Sequence, residues 1–165
     1  MSSTNLSRKL GISETGSALI EFSIVLLPLL ALLLVTVDLA WLIFAHATLQ
    51  YAVREGVRFA VTGQILAGNS CLGSSVQQIV AQNSFGFVPT NKASTYVTVS
   101  YYSPTSLSQI TGAAGPAGGN VVQVSISGVM VHLLGPLWHG ASPIPLGAVA
   151  SDVMESPPNG VPPCP

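Results

Sequence analysis

The chain has 165 residues, of which 48% are hydrophobic and only 7% are charged, whereas charged residues make up about 25% of an ordinary soluble domain. The formal net charge is −1, with 5 Lys and Arg residues in total. Because there is no basic surface, we expect no binding to nucleic acid. The apolar residues are concentrated in one stretch near the N-terminus, which indicates a membrane segment.

Residues 1–16 form a short polar leader that is rich in Ser and Thr. The leader carries Arg8 and Lys9 just ahead of the apolar stretch, and the next cation is Arg54. Positively charged residues beside a membrane span tend to stay in the cytoplasm. We therefore expect a cytoplasmic N-terminus and an extracytoplasmic chain after Ala40.

The apolar run from Phe22 to Val37 is interrupted only by Ser23, Pro28 and Thr36. With the apolar residues just before it, the run reaches about 20 residues, which cross a hydrocarbon core of about 30 Å as a helix. The sequence thus predicts one transmembrane helix. The proline is expected to be tolerated there, with a functional hinge as the alternative. Asp38, which follows the run, is expected to contact water at the outer boundary, and a gating or proton-relay role is the alternative.

The helical pattern continues beyond the membrane to Gly63, which is placed to end the helix. Residues at three- and four-residue spacings form one apolar face: Ala45, Leu49, Ala52, Val53, Gly56 and Ala60. Within it, Ala52, Gly56 and Ala60 make a small-residue ridge that allows close approach of another backbone. A helix over residues 17–63 is about twice as long as the membrane is thick. Its outer half is expected to pack on the chain's own C-terminal domain, with packing on neighbouring subunits as a further, compatible use.

Residues 64–165 predict a small extracytoplasmic α+β domain, with an antiparallel sheet packed on the long helix. The expected elements, in order, are a loop over Gln64–Ser75, a short amphipathic helix over Ser75–Asn83, a strand over Thr95–Tyr102, a flexible loop over Ser103–Asn120, strands over Val121–Ser127 and Val129–Leu134 with a bend or bulge at Gly128, and a last strand over Leu146–Met154. The apolar run of about ten residues from Val129 to Trp138 is too short for a second crossing. We interpret the segment Gly135–Pro145 as core, and an exposed contact surface is the alternative.

The junction of leader and helix reads G-S-A-L-I-E-F from Gly16 to Phe22 and resembles the processing site of type IV prepilins of the tight-adherence (Tad or Flp) class. The resemblance implies that a membrane peptidase cuts after Gly16 and that Ser17 becomes the new N-terminus. Glu21 and Phe22 then match the acid and the aromatic of the family's mature helix. A carboxylate in an apolar helix needs a cationic partner or access to water. The amine of a neighbouring subunit would serve, and so would the headgroup region beside the helix start.

The resemblance continues with Pro28, Asp38 and the stretch A-V-R-E-G-V-R-F-A from Ala52 to Ala60, which are similar to TadE-like pseudopilins. It departs mildly from the family where Val53 and Val57 replace smaller residues and where Ala40 replaces a common Gly. This resemblance implies a pseudopilin or minor pilin of the bacterial inner membrane that takes part in assembly or initiation of a Tad/Flp pilus. The implied partners are a prepilin peptidase, an inner-membrane assembly platform, an assembly ATPase, other pilins or pseudopilins, and the lipid bilayer. The alternative is an uncleaved, membrane-anchored extracytoplasmic binding module.

The two cysteines, Cys71 and Cys164, would face an oxidising compartment in this topology. A disulfide between them would close a loop of about 90 residues and stabilise the fold by up to roughly 4–5 kcal/mol in the entropic account. Free thiols and intermolecular bridges are the alternatives.

Catalytic motifs are missing from the sequence. It holds no G-x-x-x-x-G-K-[ST] phosphate loop, no Cys-x-x-Cys, no G-x-S-x-G and no H-E-x-x-H. His46, His132 and His139 are isolated from one another and from acids, as structural histidines usually are. We therefore expect no enzyme activity, no cofactor, no metal and no small-molecule substrate.

Overall fold

The computed structural model describes residues 14–133 and 142–156. Its helices and strands, in chain order, are α1 (Glu14–Val61), α2 (Leu72–Asn83), α3 (Ala93–Tyr96), β1 (Val97–Tyr102), β2 (Gln109–Ile110), β3 (Val121–Val131) and β4 (Ile144–Val153), with 3₁₀ turns at Thr90–Lys92 and Gly112–Ala114. The predicted α+β class is confirmed: one long helix precedes a small domain with short helices and an antiparallel sheet.

Helix α1 has 48 residues and continues through Pro28 without interruption, so it is about 70 Å long. It is helical from Glu14, the first described residue, so the helix includes the last residues of the predicted leader. At its other end, Gly63 has φ +64, and its N–H donates to the carbonyl of Ala60 at 3.0 Å. A left-handed glycine just past the last turn is a common helix end, and the predicted stop at this position is confirmed.

The four strands form one antiparallel sheet in the order β2-β1-β3-β4. The outer half of α1 lies against β3 and β4, while α2 packs beside it and contacts both α1 and β1. The apolar stripe of α1 that includes Ala45, Leu49 and Val53 is fully buried in this arrangement. This apolar stripe of α1 is therefore covered by the chain's own domain.

Strand β3 changes its inward-facing residues at a bulge. Val122 and Ile126 are buried before it, and Val129 and Val131 are buried after it. The pairing with β4 shifts between Ile126 and Val129, where Gly128 has φ +77. An extra residue at a bulge moves the alternation by one position. The predicted bend at Gly128 is confirmed, although the two strands expected around it are one continuous strand.

Two predicted boundaries on the helical side of the domain were wrong. Helix α2 begins at Leu72 rather than Ser75. Thr95 and Tyr96, expected at the start of the first strand, belong to the short helix α3. The Thr and Tyr side chains favour strands in general, but here the chain has to turn from α2 into the sheet, and a helical turn makes that change of direction.

The expected loop Ser103–Asn120 also contains structure. Strand β2 lies within it and pairs with the end of β1, with Ile110 opposite Tyr101. A strand of two residues is too short to show the alternation by which strands are recognised in a sequence. The apolar segment around Trp138 was expected in the core, but residues 134–141 lie outside the described part of the chain.

Candidate processing and assembly site

The first half of α1 exposes its apolar side chains on all sides. In the described residues, α1 is the one helix long and apolar enough to cross a membrane, and none of its most apolar 18-residue window is buried within the protein. Leu19, Phe22 and Leu32 are 68%, 61% and 66% exposed, respectively. So large an exposed apolar surface needs lipid or other helices around it, and it fits a single-pass membrane anchor.

The predicted processing residues lie in the first turns of this helix. Gly16 has no atom within 4 Å of the position where a Cβ would stand, so nothing else in the described chain covers it. Ser17 and Glu21 are one turn apart, and the Ser17 hydroxyl donates a hydrogen bond to Glu21 Oε1 at 3.1 Å. The peptide bond after Gly16 and the acid at position 21 are thus on one exposed section of α1.

The other polar side chains in this part of α1 hydrogen-bond to the backbone of their own helix. Ser23 Oγ donates to the carbonyl of Leu19 at 2.8 Å, and Thr36 Oγ1 donates to that of Leu33 at 2.7 Å. Such bonds satisfy the hydroxyls without water. Among these polar side chains Glu21 differs, because its partner is another side chain and it carries a charge that the helix backbone does not neutralise.

Comparison with protein families gives a match that begins at the glycine of this site. The family model described as TadE-like protein matches residues 16–58. The resemblance to TadE-like proteins is therefore confirmed over this segment, which includes Gly16, Glu21 and the outer part of α1. No curated protein and no solved structure matches the chain. Over this segment the chain is similar to a family associated with the Tad pilus.

The small-residue ridge of the TadE-like segment lies inside the chain's own domain. Ala52 and Ala60 are completely buried. A Cβ on Gly56 would overlap Val80 Cγ2 of α2 and would lie 3.6 Å from Val76 Cγ1. The ridge thus permits α2 to approach α1 closely, which is the first of the two uses considered for it. The ridge is therefore not free to contact another subunit.

Asp38 is not the water-exposed acid that its position beside the apolar run suggested. It is only 4% exposed, and it takes part in a polar or electrostatic interaction in the structure. The expectation was wrong because burial of α1 begins earlier than the apolar stripe indicated. Trp41 and Leu42 already pack against the core, so the domain extends down to the outer end of the span.

Cys71 is disulfide-bonded and lies, 4% exposed, at the residue before α2. Its proposed partner, Cys164, lies outside the described residues. The pairing of Cys71 with Cys164 therefore stays a prediction.

A cleft with a volume of about 500 Å³ lies between the start of α2 and strands β1 and β2. Its lining is uncharged and includes Ser74, Gln77, Tyr101 and Thr111. Burial raises the pKa of the Tyr101 phenol above its ordinary value of 10.0. No group of three or more potential metal ligands occurs among the residues that the structure describes.

A cluster of aromatic rings was missed in the sequence. It consists of Trp41 and Phe44 on α1 and of Phe85 and Phe87 in the loop after α2, and it is called the aromatic cluster below. The F-G-F sequence of that loop was a signal for the aromatic cluster, because it places two aromatic residues on either side of a glycine in a turn. Phe44 and Phe85 are 41 residues apart in the chain, so the contact of this loop with α1 depends on the tertiary fold.

Proposed function

We propose that this protein is a pseudopilin or minor pilin that takes part in assembly or initiation of a Tad/Flp-type pilus after a prepilin peptidase has cut the chain between Gly16 and Ser17. The observation that carries the proposal is the start of the TadE-like match at Gly16, in the first turn of an exposed apolar helix with an acid one turn beyond Ser17. An ordinary membrane anchor has no need for a carboxylate at this depth, because the charge is costly in lipid.

The exposure of α1 suggests how the subunit would assemble. One face of its outer half is covered by the domain, whereas Leu19, Phe22 and the apolar residues that follow are exposed. Lipid would cover this surface before assembly, and the helices of other pilins or pseudopilins would cover it in the assembled state. The small-residue ridge at Gly56 is already in use within the chain, so it would hold the domain on the helix.

Glu21 would guide the register of neighbouring helices. In the uncut chain its carboxylate accepts a hydrogen bond from the Ser17 hydroxyl, which leaves its charge unbalanced. Cutting after Gly16 would create a free ammonium group on Ser17. The amine of a neighbouring subunit and the Glu21 carboxylate would then form an ion pair, which is strongest where water is excluded.

The proposed location is the bacterial inner membrane, with the leader in the cytoplasm and the domain outside. The prepilin peptidase, an inner-membrane assembly platform and other pilins are the proposed partners. A role as a minor component is preferred to that of the major shaft protein, because a folded domain of about 100 residues follows the helix. This domain would occupy space that closely packed shaft subunits need.

Mass spectrometry of the protein extracted from membranes of a piliated cell tests the cut. A chain that starts at Ser17 supports the proposal. An intact Met1 would instead indicate the uncleaved anchored binding module. A start at Thr48, just after the A-x-A sequence Ala45-His46-Ala47, would indicate cleavage by signal peptidase and a secreted domain.

The role of Glu21 is tested separately with Glu21→Gln, which keeps the shape of the side chain and removes its charge. The variant should insert in the membrane and be cut normally but fail to enter or initiate pili. Ser23→Ala is the matched control, because Ser23 is a nearby exposed polar residue whose hydroxyl bonds to its own backbone. Normal piliation with Glu21→Gln would rule out the ion pair while leaving the cut itself intact.

A further inference from the structure

The aromatic cluster joins α1 to the loop after α2. The ring centroids of Trp41 and Phe44, and those of Trp41 and Phe87, are 5.8 Å apart. Phe44 is 6.4 Å from both Phe85 and Phe87. Three of these rings are at least partly covered by one another or by the core, but Phe85 is 80% exposed.

The turn that carries Phe85 is held in a conformation that a phenylalanine rarely adopts. Phe85 has φ +51 and Gly86 has φ +86. A left-handed backbone costs a residue with a side chain roughly 1–2 kcal/mol. Hydrogen bonds of the fully buried Ser84 side chain fix the turn. Its Oγ donates to the carbonyl of Ala81 at 2.7 Å and accepts from the N–H of Val88 at 3.1 Å. The protein thus maintains a turn just past the end of α2 that projects an apolar ring into the surroundings.

The position of the turn along α1 places it at the membrane surface. The exposed apolar surface of α1 continues past Val37 through Leu39, Ile43 and Phe44, which are 54%, 68% and 48% exposed. The Cα of Phe44 lies about two helical turns beyond Val37, or roughly 10 Å, which is just outside a headgroup layer of roughly 5–8 Å. Helical side chains lean toward the N-terminus of their helix, so the Phe44 ring reaches back to the outer edge of that layer. Rings at this level lie at the boundary between lipid and water, where aromatic residues are enriched in membrane proteins.

We propose that the Phe85 turn is a second membrane contact, in which the Phe85 ring enters the interfacial layer of the leaflet on the domain's side. Lipid is the occupant because the ring extends the exposed apolar surface of α1 without a break, through its contact with Phe44. Residues 84–91 contain no charged side chain, so the contact would be apolar and independent of anionic headgroups. Together with α1, the turn would fix the tilt of the domain relative to the membrane.

This contact goes beyond the proposed function, since it requires only that α1 spans a bilayer and not that the leader is cut. It is tested with the full-length chain in phosphatidylcholine vesicles. An environment-sensitive fluorophore is attached to Phe85→Cys, and quenching is measured with nitroxide-bearing lipid and with aqueous iodide. Leu107→Cys is the matched control, because Leu107 is likewise exposed (72%) and has a left-handed φ of +53. Leu107 follows the C-terminal end of β1, which lies on the side of the sheet near the C-terminal end of α1 and so away from the membrane.

The label at position 85 should be quenched several-fold more strongly by the lipid nitroxide than the label at position 107, and iodide should give the reverse order. The same result is expected when anionic lipid is added. Equal quenching by iodide at both positions would overturn the proposal. The proposal would also be overturned if both quenchers reached position 85 less well as the protein-to-lipid ratio increased, because a second copy of the chain would then cover the turn.

The role of the ring itself is tested with a label on Asn91→Cys, at an exposed site just beyond the turn. Phe85→Ser should reduce lipid quenching of this label, because the domain would tilt away from the bilayer, whereas Leu107→Ser should leave it unchanged. Identical quenching in both variants would show that the ring does not hold the domain at the membrane, and the proposal would fail whatever the outcome for the processing site.

Discussion

Replacing Gly56 by alanine tests whether the small-residue ridge serves the chain's own fold. A Cβ at this position would overlap Val80 Cγ2 and would lie 3.6 Å from Val76 Cγ1 and 3.7 Å from Val124 Cγ1. All three valines are buried, and a β-branched side chain in a helix has essentially one favourable rotamer. The extra methyl group therefore has to push α2 away from α1.

Two opposing effects determine the size of the change. Overpacking a core by one methyl group costs about 1–3 kcal/mol, whereas alanine in place of glycine stabilises a helix interior by up to about 1 kcal/mol. The net expectation is a loss of about 1 kcal/mol, or a fall in melting temperature of roughly 4–8 °C for a domain of this size. Gly56→Leu should lose considerably more.

The assay is thermal unfolding of the domain in the full-length, detergent-solubilised protein, followed by near-ultraviolet circular dichroism. Gln82→Ala and Gln82→Gly, at an exposed position of α2, calibrate the difference in helix propensity without any clash. Val80→Ala should itself destabilise, since it removes two buried methyl groups worth about 0.8 kcal/mol each and leaves a cavity. The double variant should then lose about 1 kcal/mol less than the sum of the two single changes, because the new methyl group fills that cavity. The close approach of α1 and α2 would be refuted if Gly56→Ala stabilised the protein and the change in unfolding free energy of the double variant equalled the sum of the two single changes.

Three further predictions concern the domain. Ser84→Ala should destabilise it by about 1–3 kcal/mol, because the N–H of Val88 loses its buried acceptor, and hydrogen exchange at Val88 should accelerate; unchanged exchange there would contradict the role of the hydroxyl. Cys71→Ser and Cys164→Ser should each lower the stability by about 2–5 kcal/mol, with no further loss in the double variant; additive losses would exclude the bond between them. Since burial raises the pKa of Tyr101 from its ordinary 10.0, its protonated form is favoured in the folded state, and the stability it contributes should be lost as the pH rises above about 10. Tyr101→Phe should remove that alkaline loss in denaturant titrations, and an unchanged pH profile would show that another group is responsible.

Much of the long helix could be predicted from the chain alone. The apolar run, the stripe from Ala45 to Ala60 and the stop at Gly63 are all local patterns of residue spacing, which follow from the fixed period of the helix. The Gly128 bulge was predictable for a similar reason, because a glycine in an alternating strand indicates an irregularity. The short elements were not, and β2 is the clearest case: its pairing with Tyr101 depends on the path of the intervening loop.

The sequence by itself determined that the protein has an apolar helix of membrane length, an acid near its beginning and a TadE-like segment that begins at Gly16. Each of these features depends on residues close together in the chain, so composition and spacing are enough to identify it. Only the tertiary structure decided which surfaces of that helix are covered. The domain buries Asp38 and the ridge at Gly56, and it brings the Phe85 turn next to Phe44, because burial and contact between distant residues depend on how α2 and the sheet pack on α1.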